Sequence, residues 1–102
     1  MDNSEIKLII PCEEARGTIK ELAESQGVAF SEETQSNFDG ELLCQVSTIA
    51  IMPLIGLIQL FLQYQALQDE RITIDYKGKT FRNVPMKKAK EFLLKLEEQE
   101  QH

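Results

Sequence analysis

The stretch 47-STIAIMPLIGLIQLFLQYQALQ-68 decides the fold, because it is long, apolar and free of charge. At about 100° per residue, one side of a helix through it carries small and polar groups: Thr48, Met52, Gly56, Gln59 and Gln63. The opposite side carries four large apolar side chains: Leu54, Leu57, Ile58 and Phe61. Helices with so narrow a polar stripe are buried on most sides, so we predict an apolar central helix.

The start of this central helix is open between two positions. It begins either near residue 41, running through 42-LLCQV-46, or near Pro53, since proline is favoured in the first turn of a helix. A helix that continued through Pro53 would be kinked, because proline removes a backbone hydrogen bond and clashes with the preceding turn.

The N-terminal part of the chain predicts strand, helix and strand. In residues 5–11, Ile6, Leu8 and Ile10 alternate with Lys7 and Ile9, and the segment ends at Pro11. Both features are typical of a strand. A helix over residues 12–27 follows, with its apolar side chains on one face: Ala15, Ile19, Leu22 and Ala23. Gly27 is well placed to end this helix in a left-handed conformation. Residues 28–33 then predict a second strand, and 34–40 a loop.

The C-terminal part predicts a hairpin and a helix. The segment 71-RITIDYKGKTFRNV-84 alternates in period two and turns at Lys77 and Gly78. The closing helix starts at Pro85, buries one apolar stripe (Met86, Ala89, Phe92, Leu93 and Leu96) and ends in a polar tail that frays from about residue 97.

The order β-α-β-α-β-β-α therefore predicts a small α+β fold. We expect a single domain over residues 1–102, with a mixed sheet, helices packed on that sheet and an apolar central helix.

Charge divides the chain into three regions. Residues 1–41 contain ten acids and three bases, residues 42–68 contain no charge, and residues 77–95 contain seven bases and one acid. We interpret the acidic and basic regions as two solvated surfaces that attract each other weakly.

The two cysteines, Cys12 and Cys44, lack the spacing of a zinc site and have no neighbouring histidine. The N-terminal 1-MDNSEIK-7 lacks the basic and apolar regions of a signal peptide. We therefore expect a cytoplasmic protein in which both thiols are free.

No motif in the sequence predicts catalysis. The chain contains no GxGxxG, P-loop, GxSxG or HExxH pattern, and its one histidine is the terminal His102. We predict a protein that is not an enzyme and has no catalytic, cofactor-binding or metal site.

The basic region of residues 77–95 raises the question of nucleic-acid binding. The net charge of −6 and the lack of an RNA-binding signature disfavour a nucleic-acid partner. Tyr76 and Phe81 lie in the hairpin, where they are expected to pack rather than stack on bases. A docking face for an acidic protein, with Lys87 and Lys88 as candidates, is the favoured interpretation.

The order of elements and the hydropathy along the chain resemble a family of small bacterial domains. The resemblance is carried by 5-EIKLII-10, the uncharged helix with Pro53 and Gly56, 72-ITIDYKGKTF-81 and 86-MKKAKEFLLKL-96. These domains are described as effector-associated constant components of bacterial conflict systems. Membership would imply a non-enzymatic component, encoded beside a protease or other toxin, that helps to relay invasion sensing in antiphage defence.

We predict a protein-interaction and oligomerisation module, an adaptor or accessory component that docks an effector, a second copy of itself, or both. The interface candidates lie on the central helix and the basic region: Leu54, Leu57, Ile58, Phe61, Gln59, Gln63, Lys87 and Lys88. The alternative is a small membrane-active protein in which residues 49–67 insert into a bilayer, a stretch of borderline length because a span needs roughly 20 apolar residues.

Overall fold

A computed structural model of the chain describes residues 5–11, 15–34 and 42–100. Its strands are β1 (Ile6–Pro11), β2 (Ala29–Thr34), β3 (Leu42–Thr48), β4 (Arg71–Tyr76) and β5 (Lys79–Pro85). Its helices are α1 (Arg16–Ser25), α2 (Ile51–Phe61), the one-turn α3 (Gln65–Gln68) and α4 (Met86–Glu100). The strands form one sheet in the order β2-β3-β1-β4-β5.

The predicted α+β class and order of elements are confirmed, with two additions. Strand β3 and the short helix α3 are not in the sequence-based prediction. Neighbouring strands of the described sheet all pair antiparallel, where the prediction has a mixed sheet. The predicted loop of residues 34–40 falls largely outside the described residues.

The central helix begins at Ile51, so the predicted start near residue 41 is wrong. Residues 42–48 form β3 instead, because Cys44 and Val46 alternate with Gln45 and Ser47 and only the first pair is fully buried. Pro53 is the third residue of α2, where a backbone N–H would have no partner within the helix. Proline therefore fits there without a kink.

Only one face of the sheet is covered by helices. Ile6, Leu8 and Ile10 of β1 are completely buried in the same core cluster as the apolar side chains of α1, α2 and α4. Lys7 and Ile9 point to the other face and are half-buried. No described helix packs on that second face, so the described part of the chain is a two-layer structure with one core.

Local signals end α1 as predicted. Gly27 has a φ of 70°, the Val28 N–H donates to the Ala23 carbonyl at 2.9 Å, and the Gly27 N–H donates to Glu24 at 3.2 Å. This pattern satisfies the last carbonyls of the helix and needs a residue that tolerates positive φ.

The hairpin of β4 and β5 also turns where predicted. Lys77 and Gly78 both have positive φ, 53° and 77°, as a two-residue type I′ turn requires. Beyond the hairpin, α4 buries Met86, Ala89 and Leu93 and continues to Glu100, past the predicted start of the polar tail.

Cys44 is disulfide-bonded, so the expectation of a free thiol is wrong for this residue. Its side chain is completely buried on β3, opposite Ile10 of β1. Cys12, the other cysteine of the sequence, lies outside the described residues. The sequence contains two cysteines, and a disulfide that closes a loop of roughly 30 residues stabilises a domain by about 3–4 kcal/mol.

Reduction of this disulfide is expected to lower the free energy of unfolding by about 3–4 kcal/mol, because the reduced unfolded chain regains loop entropy. Urea unfolding with and without reductant measures the difference. The Cys12→Ser variant has no possible intrachain bond and should be insensitive to reductant. Equal wild-type stability in both conditions would contradict the assignment.

Candidate functional site

The structure places the four apolar interface candidates inside the core. Leu54, Leu57, Ile58 and Phe61 are completely buried, on the side of α2 that faces the sheet and the neighbouring helices. A partner cannot reach these side chains while the domain is folded. They are core residues of this fold and are not available as a docking surface.

The predicted polar stripe of α2 faces outward. Gln59 and Gln63 are exposed, and Met52 is 60% exposed in the first turn. Gly56 interrupts the stripe, because a Cβ there would lie 3.0 Å from the side-chain oxygen of Gln26. Close approach of the end of α1 at this glycine leaves two short exposed segments rather than one continuous groove.

Residues 49–67 do not form one continuous helix. Helix α2 ends at Phe61, and the single turn of α3 begins at Gln65. None of the described helices has the length and apolar character needed to cross a membrane. The membrane-active alternative stays a prediction.

The basic edge is a surface of five exposed cations: Lys77, Lys79, Arg82, Lys87 and Lys88. Its members come from the hairpin turn, from the outermost strand β5 and from the first turn of α4, which follows β5 without a loop. Residues 77–90 contain six bases and no acid. The predicted candidates Lys87 and Lys88 thus lie on this edge with other cations of the basic region that the sequence indicates.

Aromatic contacts hold the basic edge against the core. The Phe81 ring on β5 lies 5.0 Å from the Phe92 ring on α4, with the two planes tilted by 54°. The Lys77 ammonium lies 5.2 Å from the centre of the Tyr76 ring, and the Tyr76 side chain is buried. The prediction that Tyr76 and Phe81 pack within the hairpin region is confirmed. Phe81 nevertheless remains 37% exposed at the edge of the sheet.

The electrostatics of the basic edge favour an anionic partner. Lys79, Arg82, Lys87 and Lys88 form no ion pair with any acid in the described residues. Lys87 and Lys88 also occupy the first turn of α4, where the helix dipole favours negative rather than positive charge. These four cations are therefore a positive surface that no ion pair within the described residues compensates.

The opposite edge of the sheet is acidic. This acidic edge consists of β2 and the overlying α1, with Glu21, Glu24 and Glu32 exposed, and the Glu32 carboxylate lies 3.4 Å from the Arg16 guanidinium. Residues 15–34, which contain α1 and β2, carry four acids and two bases, a net charge of −2. Four strand spacings separate β2 from β5, about 19 Å, which exceeds the Debye length of about 8 Å. Attraction between the two charged surfaces within one molecule is therefore largely screened.

No group of His, Cys, Asp and Glu side chains within the described residues could hold a metal ion. Comparisons with protein-family models, with curated proteins and with solved structures find no match to this chain. The resemblance to the effector-associated family stays a prediction.

Leu57→Ala is expected to lower the free energy of unfolding by about 2–5 kcal/mol, because it opens a cavity beneath α2. The matched variant Gln59→Ala, two residues away on the exposed stripe, should change stability by less than about 0.5 kcal/mol. Chemical unfolding followed by circular dichroism measures both. Equal effects would contradict the placement of the two faces of α2.

Proposed function

We propose that this chain is a non-enzymatic protein-interaction module that docks an acidic protein surface on its basic edge. The observation that carries the proposal is the group of exposed cations on β5 and α4, with no acid between residues 77 and 90. Surfaces of one charge sign steer and orient partners of the opposite sign.

The position of Lys87 and Lys88 supports a carboxylate-bearing partner. The Met86 N–H already donates to the Glu70 carbonyl at 3.0 Å, so the attraction for an anion comes from the remaining positive end of the helix dipole and from the two ammonium groups. Two cations in the first turn also repel the positive end of the helix dipole, and a bound carboxylate would relieve that repulsion. An acidic partner therefore gains more from this edge than a neutral one.

An acidic protein suits the molecule better than nucleic acid. The net charge is −6, and the opposite edge of the sheet carries exposed carboxylates. Nucleic acid presents phosphates over a long surface, so it would meet repulsion beyond the basic edge. A protein or peptide contacts a small area and can avoid the acidic edge.

The resemblance supports a biological setting for this interaction. An adaptor or accessory component of a bacterial defence system would use the basic edge to hold or regulate its effector. The protein encoded by the neighbouring gene should then co-purify with the chain, and reversal of charge on β5 should release it.

Cellular location is open between two compartments. The sequence favours the cytoplasm, whereas disulfides such as that of Cys44 persist in oxidising compartments and are rare in the cytosol. We expect Cys44 to remain oxidised in cells lysed directly into a thiol-alkylating reagent. Mass spectrometry of the Cys44 peptide measures this, and complete alkylation of Cys44 would instead support the cytoplasmic location.

A glutamate-rich peptide tests the docking surface directly. The wild-type chain should bind such a labelled peptide in about 10 mM salt and release most of it at about 300 mM, because exposed charges are screened. Lys79→Glu with Arg82→Glu should weaken binding by about tenfold or more, which fluorescence anisotropy measures.

The matched control for this test is Lys20→Glu with Lys95→Glu. Both of these lysines are exposed, and the control changes the net charge by the same amount without touching the basic edge. This control variant should lose only a small part of the wild-type affinity for the glutamate-rich peptide. Equal losses in the two double variants would show that net charge, and not this edge, drives binding and would remove the proposal.

A further inference from the structure

We propose that copies of this chain associate head to tail, with the basic edge of one copy pairing with the acidic edge of the next to extend the sheet. This inference rests on the proposed function and names a second copy of the chain as an acidic partner of the basic edge. Four features of the described residues support it: unpaired strand edges, strand direction, matching apolar side chains and opposite charge.

Both outermost strands have one unpaired side. Within the described residues β2 pairs only with β3, and β5 pairs only with β4. An outermost strand presents free N–H and C=O groups, which can pair with a strand of another chain. The molecule thus has two sites for sheet extension, one at each end.

The two edge strands run in the same direction. β1 is antiparallel to β3 and β4, while β2 is antiparallel to β3 and β5 to β4. β2 and β5 are therefore both parallel to β1. Copies placed side by side in the same orientation would form a parallel β5–β2 pair and keep all helix layers on one side of the continuous sheet.

Each edge strand carries one phenylalanine on the helix-covered face of the sheet. Phe30 of β2 lies opposite Val46, and Phe81 of β5 lies opposite Ile74, so both belong to the helix-covered face of the sheet. Phe30 is half-buried and Phe81 is 37% exposed. Head-to-tail pairing would bring these two side chains to the same face of adjoining strands, where each can cover the other.

Electrostatic repulsion favours pairing of β5 with β2 over pairing of β5 with β5 or of β2 with β2. Pairing β5 of one copy with β5 of another would bring Lys79 and Arg82 close to the same cations of the second copy, and these like charges repel. Pairing β2 with β2 would bring the two Glu32 carboxylates together, with the same effect. Charges on edge strands usually prevent edge-to-edge association, because the two edges that meet carry charges of the same sign and repel each other. Here the edges have opposite signs, so this protection does not extend to β5 against β2.

Only a short stretch of β5 can pair in regular register, and this limits the strength of each contact between copies. The pairing of β5 with β4 shifts between Ile72 and Ile74, and Asn83 on the bulged strand has a φ of 60°. Pairing in regular register is thus confined to the start of β5. A short contact joined largely by charge should be weak, reversible and salt-dependent. Because unlike edges do not close a two-fold dimer, association should give open chains.

Two charge-reversed variants test this arrangement. The first, Ser31→Lys with Glu32→Lys, makes the acidic edge positive. The second, Lys79→Glu with Arg82→Glu, makes strand β5 negative. Light scattering of the wild type in about 10 mM salt should show a mass that rises past the dimer with concentration and returns to the monomer at about 300 mM.

Each variant alone should be monomeric, because both of its edges then carry one sign. An equimolar mixture should regain open association, because both junctions between unlike variants, β5 of one with β2 of the other, then join opposite charges. A chain with all four substitutions should regain open association, because its two edges have exchanged sign. If Glu32→Lys destabilises the fold by exposing Arg16 to a like charge, Glu24→Lys with Ser31→Lys keeps the Arg16–Glu32 pair and serves the same purpose.

The outcomes separate this inference from the proposed function. A wild type that stays monomeric at about millimolar concentration in low salt overturns head-to-tail association, and binding of the glutamate-rich peptide would still uphold the proposed function. Loss of both overturns both. Dimers of the first variant alone would show that β5 pairs with β5, which also contradicts the inference.

Discussion

The structure depends on one helix that has almost no polar surface and must be covered. Six side chains of α2 are buried: Ile51, Leu54, Ile55, Leu57, Ile58 and Phe61. Since α2 lies against both α1 and α4, it takes the middle of the helix layer, while α1 covers β2 and β3 and α4 covers β4 and β5. The charged helices are thereby displaced toward the two edges. Because α1 and α4 each contain as many acids as bases, the opposite charges of the two edges come from β2, from β5 and from the cations that start α4.

Sequence periodicity predicted the elements whose partners are local. Gly27 ends α1 and Gly78 lies in the hairpin turn, both with positive φ, as the sequence predicts. These features were predictable because each depends on only a few neighbouring residues. Strand β3 was missed for a physical reason. It precedes α2 in one uncharged run, where an apolar background hides the alternation of Cys44 and Val46 with more polar neighbours. The disulfide was missed because the lack of a recognisable signal peptide was taken to indicate a reducing compartment.

The candidate site was less predictable than the fold. A helical wheel separated the two sides of α2 correctly, but it could not show that its large apolar side was fully covered by the rest of the chain. Lys79, Lys87 and Lys88 were identified as one basic region because they are close in the sequence, whereas the position of β5 at the outside of the sheet depends on the strand order. That order comes from pairing between distant segments, which no local pattern encodes. The opposition of charge across the sheet has the same origin.

Two proposed interactions share one surface, and this has a consequence for regulation. An acidic protein segment and the acidic edge of a second copy cannot occupy β5 and the start of α4 together. Their binding is then negatively coupled, and each lowers the apparent affinity of the other. A partner docked on the basic edge leaves the acidic edge of the same molecule free, so it ends a chain of copies at one side only. Partner concentration would thereby set the length of the assembly without any change in the fold, since both edges exist in the single folded molecule.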